Sequence, residues 1–87
     1  MKACVYKVNR RNGWIAVEPD SNKQYYTIID CNGLDFEVGD YIEWDGRLSI
    51  GPGTITVTKT KKVERVVFED HNIDERSVSS KLRMDHE

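Results

Sequence analysis

Short segments rich in β-branched and aromatic residues, separated by clusters of Gly, Pro, Asn and Asp, occupy most of the chain. This spacing is typical of β-barrels and β-sandwiches, and no segment before the C-terminal region requires a helix. The candidate strands lie near residues 3–9, 13–18, 24–30, 41–44, 47–50 and 54–58, and residues 63–68 form a candidate closing strand. The sequence therefore predicts an all-β domain.

The length of 87 residues permits one compact core. We assign the β-domain to residues 1–68 and a polar, acidic tail to residues 69–87. The tail has too few apolar groups to offset the entropy of ordering, which predicts a flexible segment. The alternative is a short helix, capped by Asn72 with Glu75 three residues later, that presents Val78 and Leu82 to a partner.

Alternation along the strands predicts which side chains enter the core. The residues predicted to point inward are Ile15, Val17, Tyr26, Ile28, Ile42 and Trp44. Trp14 precedes Ile15 and is therefore expected on the outer face. The third strand has apolar residues on both faces, so its pattern is ambiguous, and we favour Tyr26 and Ile28 as the inward pair.

Two connections have recognisable roles. Asp45-Gly46 predicts a two-residue type I′ hairpin that returns the chain along residues 47–50. Before it, the segment LDFEVGD (residues 34–40) contains Leu34 and Phe36, which we expect to close one end of the barrel.

Neither a membrane segment nor a disulfide framework is expected. No apolar run approaches the roughly 20 residues that cross a bilayer, and the first residues lack the pattern of a signal peptide. We therefore expect a soluble, cytoplasmic protein. Cys4 and Cys31 are too few for a zinc set, which predicts two reduced thiols and no metal or cofactor.

Charge is unevenly distributed along the chain. Residues 1–68 carry ten Lys and Arg against nine Asp and Glu, whereas residues 69–87 carry three against six. Residues 30–45 hold six carboxylates and no basic residue. The basic residues cluster in two places, first at Lys7, Arg10 and Arg11 and then at Lys59, Lys61, Lys62 and Arg65. Such a dipolar body offers a positive surface to phosphates, although a solvated surface without a ligand is equally consistent with it.

The order of these segments resembles the cold-shock domain family, whose members are five-stranded OB-type barrels that bind single-stranded RNA or DNA. The similar segments are CVYKVNRRNGWIAVE (residues 4–18), QYYTII (24–29), VGDYIEW (38–44) and GPGTITVT (51–58). The resemblance covers about residues 3–60 and implies a five-stranded OB-type barrel. An SH3-like small barrel is the alternative.

In this family, outward aromatic residues on the first three strands form a platform on which bases stack. The family's first-strand aromatic corresponds to Lys7 here, where the neighbouring Tyr6 is a substitute, and Trp14 and Tyr25 match the aromatics of the next two strands. Ala16 and Thr27 replace an aromatic and a histidine. The absence of two stacking groups costs about 2–6 kcal/mol, which predicts weak, salt-sensitive binding.

Nucleic-acid binding is the first functional hypothesis. Tyr6, Trp14 and Tyr25 would stack on bases, and the cations of the two basic clusters would contact phosphates. These cations are Lys7, Arg10, Arg11, Lys59, Lys61 and Lys62.

The second hypothesis is a protein-interaction module on the same barrel, docking through the acidic segment or the tail. An enzyme is not expected, because His71 and His86 both lie in the tail and no nucleophile–base pair or phosphate loop is apparent. The oligomeric state is open, since exposed strand edges on so small a barrel can pair two copies.

Overall fold

The computed structural model describes residues 1–31 and 33–83. Within these residues the chain forms six strands and one helix. The elements are β1 (Lys2–Asn9), β2 (Trp14–Pro19), β3 (Tyr25–Asp30), β4 (Tyr41–Glu43), β5 (Gly51–Val57), β6 (Lys62–Asp74) and α1 (Glu75–Lys81). The strands form a closed antiparallel barrel in the order β1-β2-β3-β6-β5-β4, with β4 paired back to β1. The predicted all-β class is confirmed, and the barrel is compatible with an OB-like architecture.

The barrel has six strands, whereas the family resemblance implied five. The difference lies in β6, which is 13 residues long and pairs with two neighbours in succession. Its first part, from Lys62 to Phe68, pairs with β5, and its second part, from Val67 to Asp74, pairs with β3. The strand thus lies between β3 and β5 and closes the barrel, and it crosses the position 68/69 where we expected the barrel to end.

The segment after β4 is not the predicted strand. Gly46 has a φ of 85°, but Asp45 is not among the described residues with positive φ, and a type I′ turn needs positive φ at both positions. Instead, the Asp45 carboxylate accepts a hydrogen bond from the Arg47 N–H at 3.0 Å. Residues 47–50 then pass irregularly across the end of the barrel, where the Ser49 carbonyl lies 2.9 Å from His71 Nε2.

The core inside the barrel contains most of the residues predicted to point inward. Ile15, Val17, Ile42 and Trp44 are all buried there, so these four predictions are confirmed. The other members of this cluster include Ile29, Ile55, Val66 and Phe68 from β3, β5 and β6. Phe36 is buried and Leu34 packs beside it, so the segment at residues 34–40 contributes to the core as expected.

Tyr26 and Ile28 point outward, and our prediction for β3 was wrong. They belong to a second buried cluster, on the outer face of the barrel, with Ala16, Ile73, Val78 and Leu82, and Trp14 packs against it. The helix α1 supplies Val78 and follows β6 directly. Because α1 covers this side of β3, both faces of the strand are buried, and the alternation of apolar residues carries no information about which one faces the core.

The N-cap of the helix is Asp74 and not Asn72, which lies within β6 with a φ of 55°. The Asp74 side chain accepts a hydrogen bond from the Ser77 N–H at 3.0 Å, which satisfies one of the free donors of the first turn. Glu75 in the first turn and Lys81 in the last have the charges that the helix dipole favours. Val78 and Leu82, expected to face a partner, are 1% and 0% exposed against this chain's own barrel.

We expect Leu82→Ala to lower the free energy of unfolding by about 2–4 kcal/mol, because it leaves a cavity between the helix and β3. Leu48→Ala is the matched control, since Leu48 is 57% exposed, and it should change stability by less than about 0.5 kcal/mol. Urea denaturation followed by circular dichroism measures both. Equal stability of the two variants would contradict the docking of α1.

Both cysteines are free thiols, and Cys31 is buried. Burial raises the pKa of the Cys31 thiol to about 12, with the nearby Asp30 carboxylate adding to the effect. The thiolate is the reactive form, so native Cys31 should resist iodoacetamide at pH 8, whereas the partly exposed Cys4 should react. Mass spectrometry of the native and guanidinium-denatured protein tests this, and rapid native labelling of Cys31 would contradict the packing of the core.

Candidate functional site

The outer face of β1, β2 and β3, where we predicted a stacking platform, is covered by α1. The Tyr6 hydroxyl donates to Glu75 Oε1 at 3.2 Å, and Lys7 Nζ donates to Ser79 Oγ at 2.7 Å. The Trp14 ring lies under the Arg83 guanidinium, with 5.1 Å between its centroid and Cζ. Each of the predicted β1 and β2 residues on this face therefore contacts the C-terminal segment of the same chain.

The aromatic group of β3 on this face is Tyr26, not Tyr25. The rings of Tyr6 and Tyr26 are 4.5 Å apart between centroids and tilted by 35°. Desolvation raises the pKa of both phenols, and nearby carboxylates, Glu75 for Tyr6 and Glu18 for Tyr26, raise it further, so both are neutral at physiological pH. Their position against α1 makes them packing groups in this conformation.

Tyr25 lies away from Trp14. It is 46% exposed at the start of β3, opposite Asp74, whereas Trp14 pairs with Asp30 at the other end of the same strand. Five residues of strand separate the two positions, or about 17 Å. The structure therefore does not bring Tyr25 and Trp14 into one stacking surface.

Two asparagines of the β1–β2 loop hold the end of α1. Asn9 Nδ2 donates to the Leu82 carbonyl at 2.7 Å, and Asn12 Nδ2 donates to the same oxygen at 3.2 Å. Their side-chain oxygens accept the backbone N–H groups of Arg11 and Trp14. The loop is thus fixed from both sides, and Asn9 is 3% exposed. Sequence reasoning missed this role, because an Asn in a hairpin loop ordinarily indicates only a turn.

Most residues of the two basic clusters lie at the same end of the barrel, whereas Lys7 contacts Ser79 and Arg65 lies opposite Thr54 on β6. β1 is antiparallel to β4, and β4 to β5, so the end of β1 lies near the start of β4 and the end of β5. The β1–β2 loop and the β5–β6 hairpin therefore project from one end, and the bonds to Leu82 bring the end of α1 to the same place. We call this surface the cationic end. Its basic residues are Arg10, Arg11, Lys59, Lys61, Lys62 and Arg83.

Part of the acidic segment lies between these two loops and pairs with them. Asp35 Oδ1 is 2.9 Å from Arg10 Nη1, and Asp40 Oδ2 is 3.1 Å from Lys59 Nζ. The first pair is well exposed, so it is weak and readily exchanged for a stronger anion. Arg11, Lys61, Lys62 and Arg83 are also exposed.

Asp40 has a structural role. It accepts the Glu37 N–H at 3.0 Å as well as the Lys59 ammonium, and its side chain is 18% exposed. The hydrogen bond from Glu37, followed by the Lys59 interactions, holds the pKa of the Asp40 carboxyl below its usual range despite partial burial. The carboxylate thus joins the turn at residues 37–40 to the β5–β6 hairpin.

His71 is partly exposed and makes two hydrogen-bond contacts. Its Nδ1 lies 3.1 Å from the Thr27 hydroxyl, and its Nε2 lies 2.9 Å from the Ser49 carbonyl. With Nε2 protonated, the ring donates to Ser49 and accepts from Thr27. The other histidine, His86, lies outside the described residues.

The described residues contain no group of three or more His, Cys, Asp or Glu side chains arranged to hold a metal ion. The only helix found there, α1, is far too short to cross a bilayer. Comparisons with models of known families, with curated proteins and with solved structures gave no significant match.

We expect Asp40→Asn to destabilise the protein at pH 7 by about 0.5–1.5 kcal/mol, because it removes a charge-assisted hydrogen bond. A carboxyl with a lowered folded pKa stabilises the protein above its unfolded pKa, near 3.9, and this stabilisation disappears as the pH falls through the folded pKa. Urea denaturation should therefore show a smaller difference from wild type at pH 2.5 than at pH 7. Asp35→Asn is the control, since Asp35 is almost fully exposed, and an equal effect there would refute the assignment.

Proposed function

We propose that this chain is a small single-stranded nucleic-acid-binding domain, for RNA or DNA, whose contact surface is the cationic end. The observation that carries the proposal is the position of Trp14, half-buried beneath Arg83 and directly after the loop that holds Arg10 and Arg11. Aromatic rings and guanidinium planes stack on bases, and the surrounding cations contact phosphates. This combination is the physical requirement for binding an unpaired strand.

The cold-shock-like order of segments supports the same function, but α1 changes how it would be carried out. In a cold-shock domain, bases lie across the outer face of the first strands. Here Val78 and Leu82 occupy that face, and Glu75 and Ser79 bind Tyr6 and Lys7. We therefore assign the contacts to the end of the barrel, with Trp14 and Arg83 as the stacking pair. With few bases stacked, affinity is low and depends mainly on phosphate contacts.

The uneven distribution of positive and negative charge along the chain is consistent with weak binding of a nucleic acid. The net charge is -2, yet basic residues gather around two loops at one end. A local positive field attracts a polyanion even when the whole chain is slightly acidic. We place this function in the cytoplasm, where the two free thiols remain reduced, and we propose binding without catalysis.

Binding is tested with fluorescein-labelled oligo-U and oligo-dT, followed by anisotropy at low and moderate salt. We expect Arg83→Gln to weaken binding about fivefold or more, because the substitution removes both a phosphate-binding charge and the cation over Trp14. The slope of log Kd against log salt should fall by about 0.7 for each phosphate that the variant no longer neutralises.

The matched control is Lys23→Gln, an exposed cation in the loop between β2 and β3, at the opposite end of the barrel. It changes the net charge equally and should leave affinity within about twofold, since surface charge alone acts weakly at that distance. Absence of binding at low salt and high micromolar protein, or equal losses of affinity in the two variants, would refute the proposal.

The alternative is the protein-interaction module. Its tail-mediated version has no remaining support, because Val78 and Leu82 pack on this chain's own barrel. A different observation favours an interaction surface elsewhere, on the edge of β5.

A further inference from the structure

The strand order of the barrel is closed, but the first part of β5 has no strand paired along its β4 side. β4 pairs with β5 only at Ile42↔Val57 and Glu43↔Thr56. The next residue, Trp44, donates its N–H to the Met1 carbonyl on the other side, and the chain then turns away from β5. Residues 51–55 consequently pair with β6 alone. Between them and residues 43–49 lies an open groove of about 490 Å³, which we call the β5 groove.

The direction of the backbone groups in this groove follows from one hydrogen bond. Thr58 donates its N–H to the Tyr41 carbonyl at 3.1 Å, so Thr58 directs its main-chain groups towards β4. Main-chain groups alternate in direction along a strand, so those of Thr54 and Pro52 point the same way. At these positions β4 has already left, and the described part of the chain supplies no main-chain partner on that side.

Thr54 therefore offers one N–H and one C=O to the groove, and Pro52 offers a C=O but no N–H. A free pair of this kind is the pattern that an added antiparallel strand satisfies. Pro52 limits the ladder at one end, and the last β4 pair, Glu43↔Thr56, limits it at the other. The added strand is thus short, centred on Thr54.

The floor of the groove is apolar and its outer wall is fixed. Trp44, Ile55 and Phe68 line the inner side, and their rings and methyl groups belong to the barrel core. Gly53 lies directly against Phe68, since a Cβ there would come within 2.7 Å of the ring atom Cε2. The opposite wall includes Ser49, whose carbonyl is held by His71, and the His71 ring stacks on Phe68 at 5.6 Å.

The charged residues at the rim of the β5 groove favour particular side chains in its occupant. Asp45 is paired with Arg47 at 3.3 Å, whereas the exposed Glu43 has no ion pair among the described residues. The unpaired carboxylate beside the last β4 pair favours a basic residue at that end of the occupant, while the exposed Arg65 lies opposite Thr54. The wall formed by residues 43–49 also favours an occupant whose strand projects singly from its own protein. The strands of this chain do not project in this way, because they are paired in the closed order of its barrel.

We infer that the β5 groove binds an extended peptide segment of a partner protein, which adds to β5 as a short antiparallel strand. Its main chain pairs with Thr54, one apolar side chain points towards Trp44 and Phe68, and a Lys or Arg lies beside Glu43. This site is separate from the cationic end and does not depend on nucleic-acid binding.

The probe is a capped synthetic pentapeptide, Lys-Val-Thr-Val-Lys, titrated to millimolar concentration into the ¹⁵N-labelled full chain. We expect amide shifts centred on Gly53, Thr54 and Ile55. Two N-methylated versions block one backbone edge each, with methyl groups either on residues 2 and 4 or on residues 1, 3 and 5 of the peptide. An added strand uses one edge, so one version should bind like the parent and the other at least about fivefold more weakly.

The matched variants are Thr54→Pro and Thr54→Val. Proline removes the N–H that faces the groove, while valine keeps it and removes only the hydroxyl. The Thr54 N–H is not used in pairing with β6, so both variants should fold, and only Thr54→Pro should lose peptide binding. If Thr54→Pro fails to fold, the two methylated peptides decide the question on the unaltered protein.

The proposal is overturned by any of three results. The first is no shift at millimolar peptide or shifts confined to the cationic end. The second is equal binding, or equal loss of binding, for both methylated peptides. The third is concentration-dependent shifts of the same amides without peptide, together with dimers in sedimentation, which would assign the groove to a second copy of this chain.

Discussion

The continuous ladder of β6 is the interaction on which the other parts of this structure depend. A barrel needs hydrogen bonds around its whole circumference, and neither β3 nor β5 closes it alone. β6 pairs with β5 over its first half and with β3 over its second. Register shifts near Ile28 in the β3 pairing allow the long strand to bend as it passes from one neighbour to the other.

The end of β6 also decides where the helix lies. Asp74 is both the last residue of the strand, opposite Tyr25, and the N-cap of α1. The chain therefore reverses at once and runs back over the outer face of β3, where Val78 meets Tyr26 and Ile28. At the far end, Asn9 and Asn12 fix the Leu82 carbonyl. A surface that the family resemblance assigned to a ligand is thereby used for folding.

Sequence patterns predicted the interior of this barrel better than its exterior. Ile42 and Trp44 are flanked by exposed residues, and burial on one side makes such an alternation readable. Ile15 and Val17 were also assigned correctly, although Ala16 between them is buried in the outer cluster. Tyr26 and Ile28 lie on a strand buried on both faces, so period 2 does not identify the core side. The continuation of β6 through residues 69–74 was not predictable from composition, because its polar side chains are ordered by main-chain pairing. The proposed site depends on both kinds of information. The sequence pointed to the loop with Arg10 and Arg11, whereas Arg83 lies over Trp14 only because the helix docks.

The cationic end and the β5 groove lie towards opposite ends of the barrel. β4 is only three residues long, with Tyr41 at the end that carries the β5–β6 hairpin and Glu43 at the start of the groove. The short β4 thus has two consequences. At its start, the pair of Asp40 and Lys59 joins the barrel to the basic hairpin. At its end, β4 stops early and leaves Thr54 without a neighbouring strand. The charged groups also differ, since the Arg83 guanidinium lies over Trp14 while the carboxylate of Glu43 lines the groove. A polyanion at one end and a basic peptide at the other would not compete for the same groups. The two proposed sites would therefore allow one small barrel to hold a nucleic-acid strand and a protein segment together, a combination that fold class alone does not specify.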